Sequence, residues 1–366
     1  MGASQIRRVK TALENPVFLD DDFLSGTGEF IRSSFPSNRP VLVIQRGLEN
    51  ILGSAVSSLR TQLPGLKIIV TRKGERNKSR REKERLEDAL LDRGFGRDTL
   101  IIALGGGTLT DLAGFTAGTF ARGVPWVAVP STLLAMVDAA IGGKTGVNVP
   151  AGKNLIGLFH NPAAVFDAPG LLSTLPAKEW REGLAECIKH GLIADARYFG
   201  AMAATPIGIL RRERDLQEKL IAISVRIKGT IVASDPFETS GARNLLNAGH
   251  TAGHAIELLS KWRVSHGSAV AAGLCWEAAC ACAQGFLPRA ELREIARAVS
   301  ERGFAPVWER FSPREVLASA RSDKKNRGGK VMYVPLGAIG RPALPPPHTQ
   351  PIALADLAAG LRLLKG

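Results

Sequence analysis

The sequence predicts an α/β domain over residues 1–170, followed by a mainly α-helical domain over residues 171–366. In the first part, short apolar runs such as RPVLVIQ alternate with helical patterns, which indicates a parallel sheet covered on both faces. From about Leu171 onward, long helical patterns dominate. With 366 residues, the chain is long enough for two domains that each bury a core of their own.

The elements of the first part each have a local signal. Apolar runs predict five strands, with the sequences RPVLVIQ, LKIIVT, DTLIIAL, WVAVP and AVFDA. Ser79 followed by Glu82 forms a capping-box pattern, which predicts a helix that continues to about Arg93. A small-residue helix, LAGFTAGTFARG, is predicted after the third strand.

The second part is predicted to be built from helices. Its helical patterns are AKEWREGLAECIKHGLI, RDLQEKLIAISVRIKGTIVAS, NLLNAGHTAGHAIELLS and HGSAVAAGLCWEAACACAQG. Arg243 directly precedes the third pattern and is predicted on the same helix, about two turns before His250 and on one face with it. A proline-rich connector, RPALPPPHTQPIAL, precedes a short terminal helix.

The composition is that of an ordinary globular protein, with 45% hydrophobic and 22% charged residues. No run of 18 apolar residues indicates a membrane span, and the first ten residues lack a secretory apolar region, so we expect a cytoplasmic protein. The four cysteines show no CxxC spacing, and we interpret them as buried free thiols.

The net charge of +14 raises the possibility of a nucleic-acid partner. Much of this charge lies in RKGERNKSRREKERLEDALLDR, where acids and bases interleave as on a solvated helix face. Aromatic residues make up only 6% of the chain and do not interleave with the basic runs. We therefore expect no nucleic-acid partner.

Two glycine-rich segments favour the binding of phosphate groups. Three consecutive glycines, Gly105 to Gly107, lie between a strand and a helix, where backbone N–H groups and the helix dipole suit an anion. The GxGxxG fingerprint is absent, so an ordinary tight turn remains the alternative. Lys144 and Lys153 each follow a glycine and are predicted on short loops, where they suit phosphate or are simply solvated.

The histidines indicate a metal site. His250 and His254 are four residues apart and share a helix face, and His266 follows closely. Glu186, in a helical segment upstream, adds a carboxylate of the kind that binds zinc with imidazoles. Thr251 occupies the place of the glutamate in an HExxH site, which disfavours a zincin protease.

Taken together, these segments resemble the 3-dehydroquinate synthase family from about Gly74 to Gly340. The motifs that carry the resemblance are GERNKS, GGGTLTDLAGF, RGVPWVAVPSTLLAMVDAAIGGKTGVN, GKNLIG, GLAECIKHGLI, RNLLNAGHTAGHAIE, HGSAVAAG and SDKKNRGGK. The resemblance implies an N-terminal Rossmann-like nucleotide-binding domain and a C-terminal domain that binds metal and substrate. It implies conversion of 3-deoxy-D-arabino-heptulosonate 7-phosphate to 3-dehydroquinate and phosphate, through transient oxidation, elimination, reduction and aldol closure.

The resemblance also implies the cofactors and their sites. One divalent metal, Zn²⁺ or Co²⁺, is implied at Glu186, His250 and His266, with His254 left as a substrate-phosphate or supporting group. The helix-face pair of His250 and His254 is the competing assignment from spacing alone. NAD is implied at Glu75, Lys78, Gly107, Asp111, Ser131, Thr132, Lys144, Lys153, Leu171 and Thr174.

The substrate contacts implied by the resemblance are Asp138, Lys144, Asn154, Lys189, Lys228, Arg243, Asn247, His254 and Lys324. Arg122 matches a family arginine that reaches the site of a neighbouring subunit, which implies a homodimer. The implied substrate is a phosphorylated sugar acid. Its phosphate would be bound by Lys144, Lys189, Lys324 and Arg122, and its carboxylate by Lys228 and Arg243.

Two departures from the family pattern bear on function. Gln45 stands where the family usually has an aspartate for the adenosine ribose. The segment SDPFETSGARN carries one additional residue before Arg243, so Glu238 replaces the acidic residue of the family. The alternative functions are another sugar phosphate cyclase, a metal-dependent polyol dehydrogenase and an inactive paralogue.

Overall fold

The computed structural model describes residues 6–19, 23–321 and 330–365. Contacts divide the chain into two compact units: unit 1 comprises residues 1–175 and 217–229, and unit 2 comprises residues 176–216 and 230–366. Within unit 1, Gly229 packs against Thr11 and Leu13, and Glu218 forms an ion pair with Arg7. The functional division at residue 170 stays a prediction.

Unit 1 is built on a mostly parallel sheet. Its strands and the strands of a separate hairpin are β1 Arg7–Arg8, β2 Val17–Leu19, β3 Arg39–Gln45, β4 Lys67–Thr71, β5 Thr99–Gly105, β6 Trp126–Pro130, β7 Lys144–Val149, β8 Gly152–Phe159 and β9 Ala164–Asp167. The sheet order is β1-β2-β9-β6-β5-β3-β4, in which only the β1–β2 pair is antiparallel. Every residue of β5 is buried, as a central parallel strand requires.

The helices of unit 1 include the one that was predicted after Ser79. They are α1 Phe23–Ser34, α2 Leu48–Ile51, α3 Gly53–Gln62, α4 Arg80–Leu91 and α5 Gly107–Thr119, with a π-helical turn at Ala135–Ala139 and short 3₁₀ turns at Glu75–Asn77, Phe120–Arg122 and Pro169–Thr174. Ser79 caps α4 by accepting the N–H of Glu82 at 3.3 Å. The predicted α/β class of this part of the chain is confirmed.

The antiparallel hairpin of β7 and β8 differs from the sequence prediction. Lys144 begins β7 and Lys153 lies in β8, so neither stands on a short loop. The hairpin is held by its ladder and by the Thr145 hydroxyl, which donates to the carbonyl of Leu158 at 2.9 Å. The prediction was wrong because three glycines, Gly146, Gly152 and Gly157, interrupt the alternation of apolar and polar residues by which an antiparallel strand is recognised.

Unit 2 is mainly helical, as predicted. The remaining helices of the described chain are α6 Ala177–Ala194, α7 Ala196–Ala204, α8 Ile207–Leu210, α9 Arg214–Ser234, α10 His250–Leu259, α11 His266–Ala283, α12 Arg289–Glu301, α13 Pro313–Arg321 and α14 Leu354–Lys365, with 3₁₀ turns at Ala242–Asn247 and Val307–Arg310. The middle of α9 groups with unit 1. Two small strand pairs join β10 Met332–Tyr333 to β13 Gln350–Pro351 and β11 Leu336–Ala338 to β12 Arg341–Pro342.

Helix α11 forms the centre of unit 2. Nearly all of its residues are buried, as expected for a helix that is apolar on all sides. Trp276 donates its indole N–H to the carbonyl of Leu357 in α14 at 2.9 Å. All four cysteines are free; three are buried, and burial raises the pKa of the Cys275 thiol to about 12.

Helices α10 and α11 cross in backbone contact through glycines. A Cβ at Gly273 would lie 1.9 Å from the carbonyl oxygen of Gly249, so no larger residue fits at this crossing. Gly249 also has a φ of 75°, a left-handed conformation that glycine adopts without strain.

Within the described residues, no helix combines the length and the apolar character needed to cross a membrane.

Candidate functional site

Three side chains of unit 2 converge in a geometry suited to a metal ion. Glu186 lies in the middle of α6, His250 is the first residue of α10, and His266 is the first residue of α11. The Nε2 atoms of His250 and His266 lie 3.6 Å and 3.5 Å from Oε1 of Glu186. One ligand atom from each residue lies within 4.8 Å of the other two.

The outer contacts of the two imidazoles prepare them to bind a metal. Nδ1 of His250 lies 3.1 Å from the carbonyl oxygen of Ala248, which only accepts, so Nδ1 carries the proton and Nε2 presents its lone pair. Nδ1 of His266 lies 3.4 Å from Oε2 of Glu257, an arrangement typical of zinc-bound histidines. The buried Oε1 of Glu186 faces the Nε2 atoms of both histidines. This donor set fits a divalent metal.

The charges around the trio stabilise an ionised Glu186. Burial disfavours a charged Glu186, but the Lys189 ammonium and the two imidazoles outweigh it and hold the pKa of Glu186 well below its usual range. Burial, together with Lys189, lowers the pKa of His250 well below its usual value. Burial opposes the charge on His266, yet hydrogen bonds to Glu186 and Glu257 raise its pKa to about 10.

His254 shares a helix face with His250, as the spacing predicts. Its ring centroid lies 5.2 Å from that of His250 and 6.4 Å from that of His266. Among the described residues, however, the ligand atoms of Glu186, His250 and His266 converge, and His254 belongs to no such converging group. The geometry therefore favours the assignment implied by the family resemblance over the helix-face pair.

Arg243 is not on the same helix as His250, contrary to the sequence prediction. Arg243 belongs to the 3₁₀ turn Ala242–Asn247, and α10 begins only after Gly249. The left-handed φ of Gly249 breaks the helical path, although the pattern of apolar residues continues through it. Arg243 and His250 therefore lie on opposite sides of a bend in the backbone and do not share a helix face.

The turn before Arg243 is organised around Asp235. The Asp235 carboxylate accepts backbone N–H groups of Thr239, Ser240, Gly241 and Arg243 at 2.8–3.2 Å. Burial opposes ionisation, but these donors outweigh it and lower the pKa of Asp235 to about 2. The additional residue of this segment is thus absorbed in a compact turn.

The side chain of Arg243 is buried beside this turn. One terminal N–H donates to the carbonyl of Pro236 at 2.9 Å, and Nε lies 3.6 Å from Oε1 of Glu238. Glu238 is 38% exposed and has a φ of 58°. Asn247, half-buried, ends the 3₁₀ turn, and Lys189 is buried in ion-pair contact with Glu186. Lys324 lies outside the described residues.

In unit 1, the glycine turn joins the most buried strand to a helix. Strand β5 ends at Gly105 and α5 begins at Gly107, so the N-terminus of α5 follows the strand directly. A helix N-terminus at the carboxyl end of a parallel strand favours a phosphate group. Gln45 ends the neighbouring strand β3 at the same edge of the sheet, where it can donate to a hydroxyl group.

A polar network surrounds this turn. The Lys78 ammonium contacts Asp111 and donates to Oδ1 of Asn154 at 2.6 Å. Glu75 accepts the Thr108 hydroxyl at 2.7 Å and the Asn148 amide at 2.8 Å. Burial opposes ionisation of Glu75, but Lys78 and these hydrogen bonds lower its pKa.

The network joins residues that the family resemblance assigns to different ligands, because Asn154 was predicted to contact substrate. Burial raises the pKa of Asp111 even though Lys78 opposes the shift. Thr108 and Asn148 were not predicted as site residues. The position of Asn148 in VNVPAGKN was the available signal.

Asp138 and Lys228 form a second polar pair in unit 1. The Lys228 ammonium donates to the carbonyl oxygen of Asp138 at 2.6 Å and to its Oδ1 at 2.7 Å. Asp138 lies in the π-helical turn that follows Thr132, whose hydroxyl accepts the N–H of Ala135 at 3.2 Å. Ser131 is buried directly after β6.

The other predicted residues of unit 1 differ in exposure. Lys144 is exposed and Lys153 is half-buried on the hairpin. Leu171 is buried and Thr174 is exposed in the 3₁₀ turn Pro169–Thr174. Arg122 is exposed and has a φ of 73°, a left-handed conformation that a non-glycine residue adopts under strain.

Comparison with known sequences covers most of the chain. The family description 3-dehydroquinate synthase N-terminal matches residues 68–182, and 3-dehydroquinate synthase C-terminal matches residues 183–326. The chain is 46% identical over 255 residues to the 3-dehydroquinate synthase of Corynebacterium jeikeium, covering 70% of this chain and 69% of that protein. It is 38% identical over 347 residues to that of a Synechococcus species, covering 92% of each.

Solved structures with the same fold are sugar phosphate cyclases and dehydrogenases. A 2-deoxy-scyllo-inosose synthase complexed with carbaglucose-6-phosphate, NAD⁺ and Co²⁺ matches with a TM-score of 0.85 and 22% identity, covering 99% of this chain and 100% of that one. A Streptomyces hygroscopicus 2-epi-5-epi-valiolone synthase with NAD⁺ and Zn²⁺ matches at 0.86 and 24%, covering 99% of each chain. An iron-containing alcohol dehydrogenase from Corynebacterium glutamicum matches at 0.63 and 16%, covering 100% and 97%.

At these identities the solved structures establish the fold alone, whereas the sequence relatives reach well above 30% identity across most of their length. Both family domains match in order and without a gap between them. The chain therefore belongs to the 3-dehydroquinate synthase family.

Proposed function

We propose that this chain converts 3-deoxy-D-arabino-heptulosonate 7-phosphate to 3-dehydroquinate and phosphate, with a divalent metal held by Glu186, His250 and His266. The observation that carries the proposal is the convergence of these three ligand atoms, with the His250 tautomer set by a backbone carbonyl. Membership of the 3-dehydroquinate synthase family supports this reaction, and the carboxylate and two imidazoles provide the metal ligands for it.

A divalent ion bound by these residues supplies Lewis acidity, which lowers the pKa of substrate hydroxyl groups. The chain's own residues prepare the site for it. Glu186 contributes a permanently ionised carboxylate, because its pKa lies well below the usual range. Glu257 keeps His266 oriented through Nδ1, and the proton on His266 must leave when a metal binds.

NAD bound by this chain would supply a hydride acceptor for the transient oxidation and a hydride donor for the later reduction. Gly107 and the N-terminus of α5 are proposed to hold its pyrophosphate, with Glu75, Lys78 and Asp111 nearby in the polar network. The remaining proposed NAD contacts are Ser131, Thr132, Lys144, Lys153, Leu171 and Thr174. Gln45 is proposed to hydrogen-bond a ribose hydroxyl as a neutral amide.

The charged groups of the substrate are proposed to be bound by cationic side chains. Lys144, Lys189, Lys324 and Arg122 would bind the phosphate, and Lys228 and Arg243 would bind the carboxylate. Contacts with Asp138 hold the Lys228 ammonium in place, and contacts with Pro236 and Glu238 orient the Arg243 guanidinium. Asp138, Asn154, Asn247 and His254 complete the proposed substrate contacts.

We also propose that the enzyme works in the cytoplasm as a homodimer, with an NAD-binding domain of residues 1–170 and a metal- and substrate-binding domain of residues 171–366. The exposed, strained Arg122 supports a homodimer, since its side chain is available to a neighbouring subunit.

The proposed reaction predicts phosphate release that depends on metal but causes no net oxidation. Incubation with the heptulosonate phosphate and catalytic NAD should release one phosphate for each substrate molecule. Exhaustive chelation should abolish the release, and Zn²⁺ or Co²⁺ should restore it. Turnover that survives chelation would contradict the metal assignment, and NADH accumulating in proportion to substrate would instead indicate a polyol dehydrogenase.

His266→Ala should lose the metal far more completely than His254→Ala. A ring nitrogen of His266 lies within 4.8 Å of the ligand atoms of Glu186 and His250, whereas His254 does not belong to this trio. The metal content of the two purified variants, measured by elemental analysis, decides between them. Equal losses, or the reverse order, would favour the helix-face pair of His250 and His254.

Metal affinity should increase with pH. Without metal, the pKa of His266 is about 10, so the imidazole is protonated near neutrality and must lose this proton to bind. The apparent Zn²⁺ association constant should therefore rise about tenfold per pH unit between about pH 7 and pH 9. Competition titrations with a chelator of known pH dependence measure this slope, and a constant affinity over that range would contradict it.

A further inference from the structure

The N-terminus of α10 is held by a buried carboxylate from another helix. Glu277, in the middle of α11, accepts the backbone N–H of Gly249 at 2.9 Å and that of Ala252 at 2.9 Å, one on each oxygen. These two N–H groups flank His250 in the chain. The position of His250 is therefore tied to α11 through two buried hydrogen bonds.

The N-terminus of α11 is held in the same way by α6. Glu182 accepts the backbone N–H of Gly267 at 2.7 Å on one oxygen and the hydroxyl of Ser265 at 2.5 Å on the other. These groups flank His266, and Glu182 lies one helical turn before Glu186 on α6. Helix α6 thus carries the proposed metal ligand Glu186 and, through Glu182, holds the backbone next to the proposed ligand His266.

Backbone contact leaves these helices little freedom to move apart or together. A Cβ at Gly267 would lie 2.6 Å from Cα of Glu182, and one at Gly273 would lie 1.9 Å from the carbonyl oxygen of Gly249. The short separations allow a glutamate to reach the neighbouring helix end directly. The positions of His250 and His266 therefore depend on the two hydrogen-bonded carboxylates.

The charges of Glu182 and Glu277 also matter. Each helix N-terminus carries about half a positive charge, which repels a cation placed beside it. His250 and His266 both stand at such ends, so a divalent metal there meets two unfavourable dipoles. Buried carboxylates bonded to these same N–H groups offset that repulsion.

We propose that Glu182 and Glu277 are positioning residues of the metal site, which fix the backbone around His266 and His250 and supply negative charge at the two helix N-termini. This inference rests on the proposed metal site. Glu182 and Glu277 would not contact the metal, but they would set the affinity of the site and the coordination geometry of the bound ion.

Glutamine can keep the hydrogen bonds of Glu182 but not those of Glu277, so the two substitutions have different expected effects. In Glu277→Gln, the amide NH₂ must face a backbone N–H, because each oxygen of Glu277 accepts a backbone N–H. In Glu182→Gln, the amide oxygen can keep Gly267, and the Ser265 hydroxyl can turn to accept the NH₂ group. Glu277→Gln should therefore be the more damaging of the two.

The control is Glu82→Gln in unit 1. Glu82 is also a buried carboxylate that accepts a backbone N–H, from Arg72 at 2.9 Å, and it pairs with Arg85. Its loss should lower the melting temperature without changing the metal site. Comparison with this variant separates a general loss of stability from a specific effect on the metal.

The experiment measures Zn²⁺ affinity by chelator competition and the visible absorption spectrum of the Co²⁺-loaded full-length protein. Glu277→Gln should weaken Zn²⁺ binding by about tenfold or more and shift the Co²⁺ bands, as outer-sphere partners of zinc sites do. Glu82→Gln should retain wild-type affinity and bands. Wild-type behaviour of Glu277→Gln, or an equal change in Glu82→Gln, would overturn the proposal.

Two further results keep the inference separate from the proposed function. If the wild-type chain binds no metal, the metal site itself fails, and the inference with it. If Glu277→Gln does not fold, Glu182→Ala and Glu182→Gln decide instead. Alanine should weaken Zn²⁺ binding and change the Co²⁺ bands. Glutamine, which keeps the two hydrogen bonds but loses the charge, should restore the bands and only part of the affinity; equal behaviour of the pair would overturn the proposal.

Discussion

The burial of the Glu186 carboxylate is the constraint on which unit 2 depends. A fully buried carboxylate is costly unless a cation compensates it, and here Lys189 and two imidazoles surround it. No single helix can provide these groups at the required positions. Helices α6, α10 and α11 therefore bring their side chains to one point, where a divalent metal is proposed to bind.

The convergence explains why the sequence of this region is rich in small residues. Imidazoles at the first residues of α10 and α11 meet Glu186 only if the helix backbones approach closely, which requires glycine at positions 249, 267 and 273. Close approach in turn buries the ends of both helices, and their N–H groups then need acceptors. Glu182 and Glu277 are those acceptors, so packing, capping and metal binding are three aspects of one arrangement.

Much of this could be predicted from the sequence. Strands β3, β4, β5, β6 and β9 and the helix Arg214–Ser234 follow directly from local periodicity, whereas β1, β2 and the β7–β8 hairpin were not predicted. The motifs around Glu186, His250 and His266 indicate the metal trio. The break at Gly249 could not be predicted, because a left-handed φ does not interrupt a pattern of apolar residues. The roles of Glu182 and Glu277 were also missed, since their partners are far away in sequence and become neighbours only when helices pack.

The central claim is that Glu186, His250 and His266 together form one metal site. Anomalous X-ray scattering at the zinc edge, from crystals of the full chain grown with Zn²⁺, tests it most directly. The account predicts one strong peak at about 2.0–2.2 Å from a Glu186 oxygen and from Nε2 of both His250 and His266. A peak coordinated by His250 and His254 without His266, or no peak near Glu186, would contradict it.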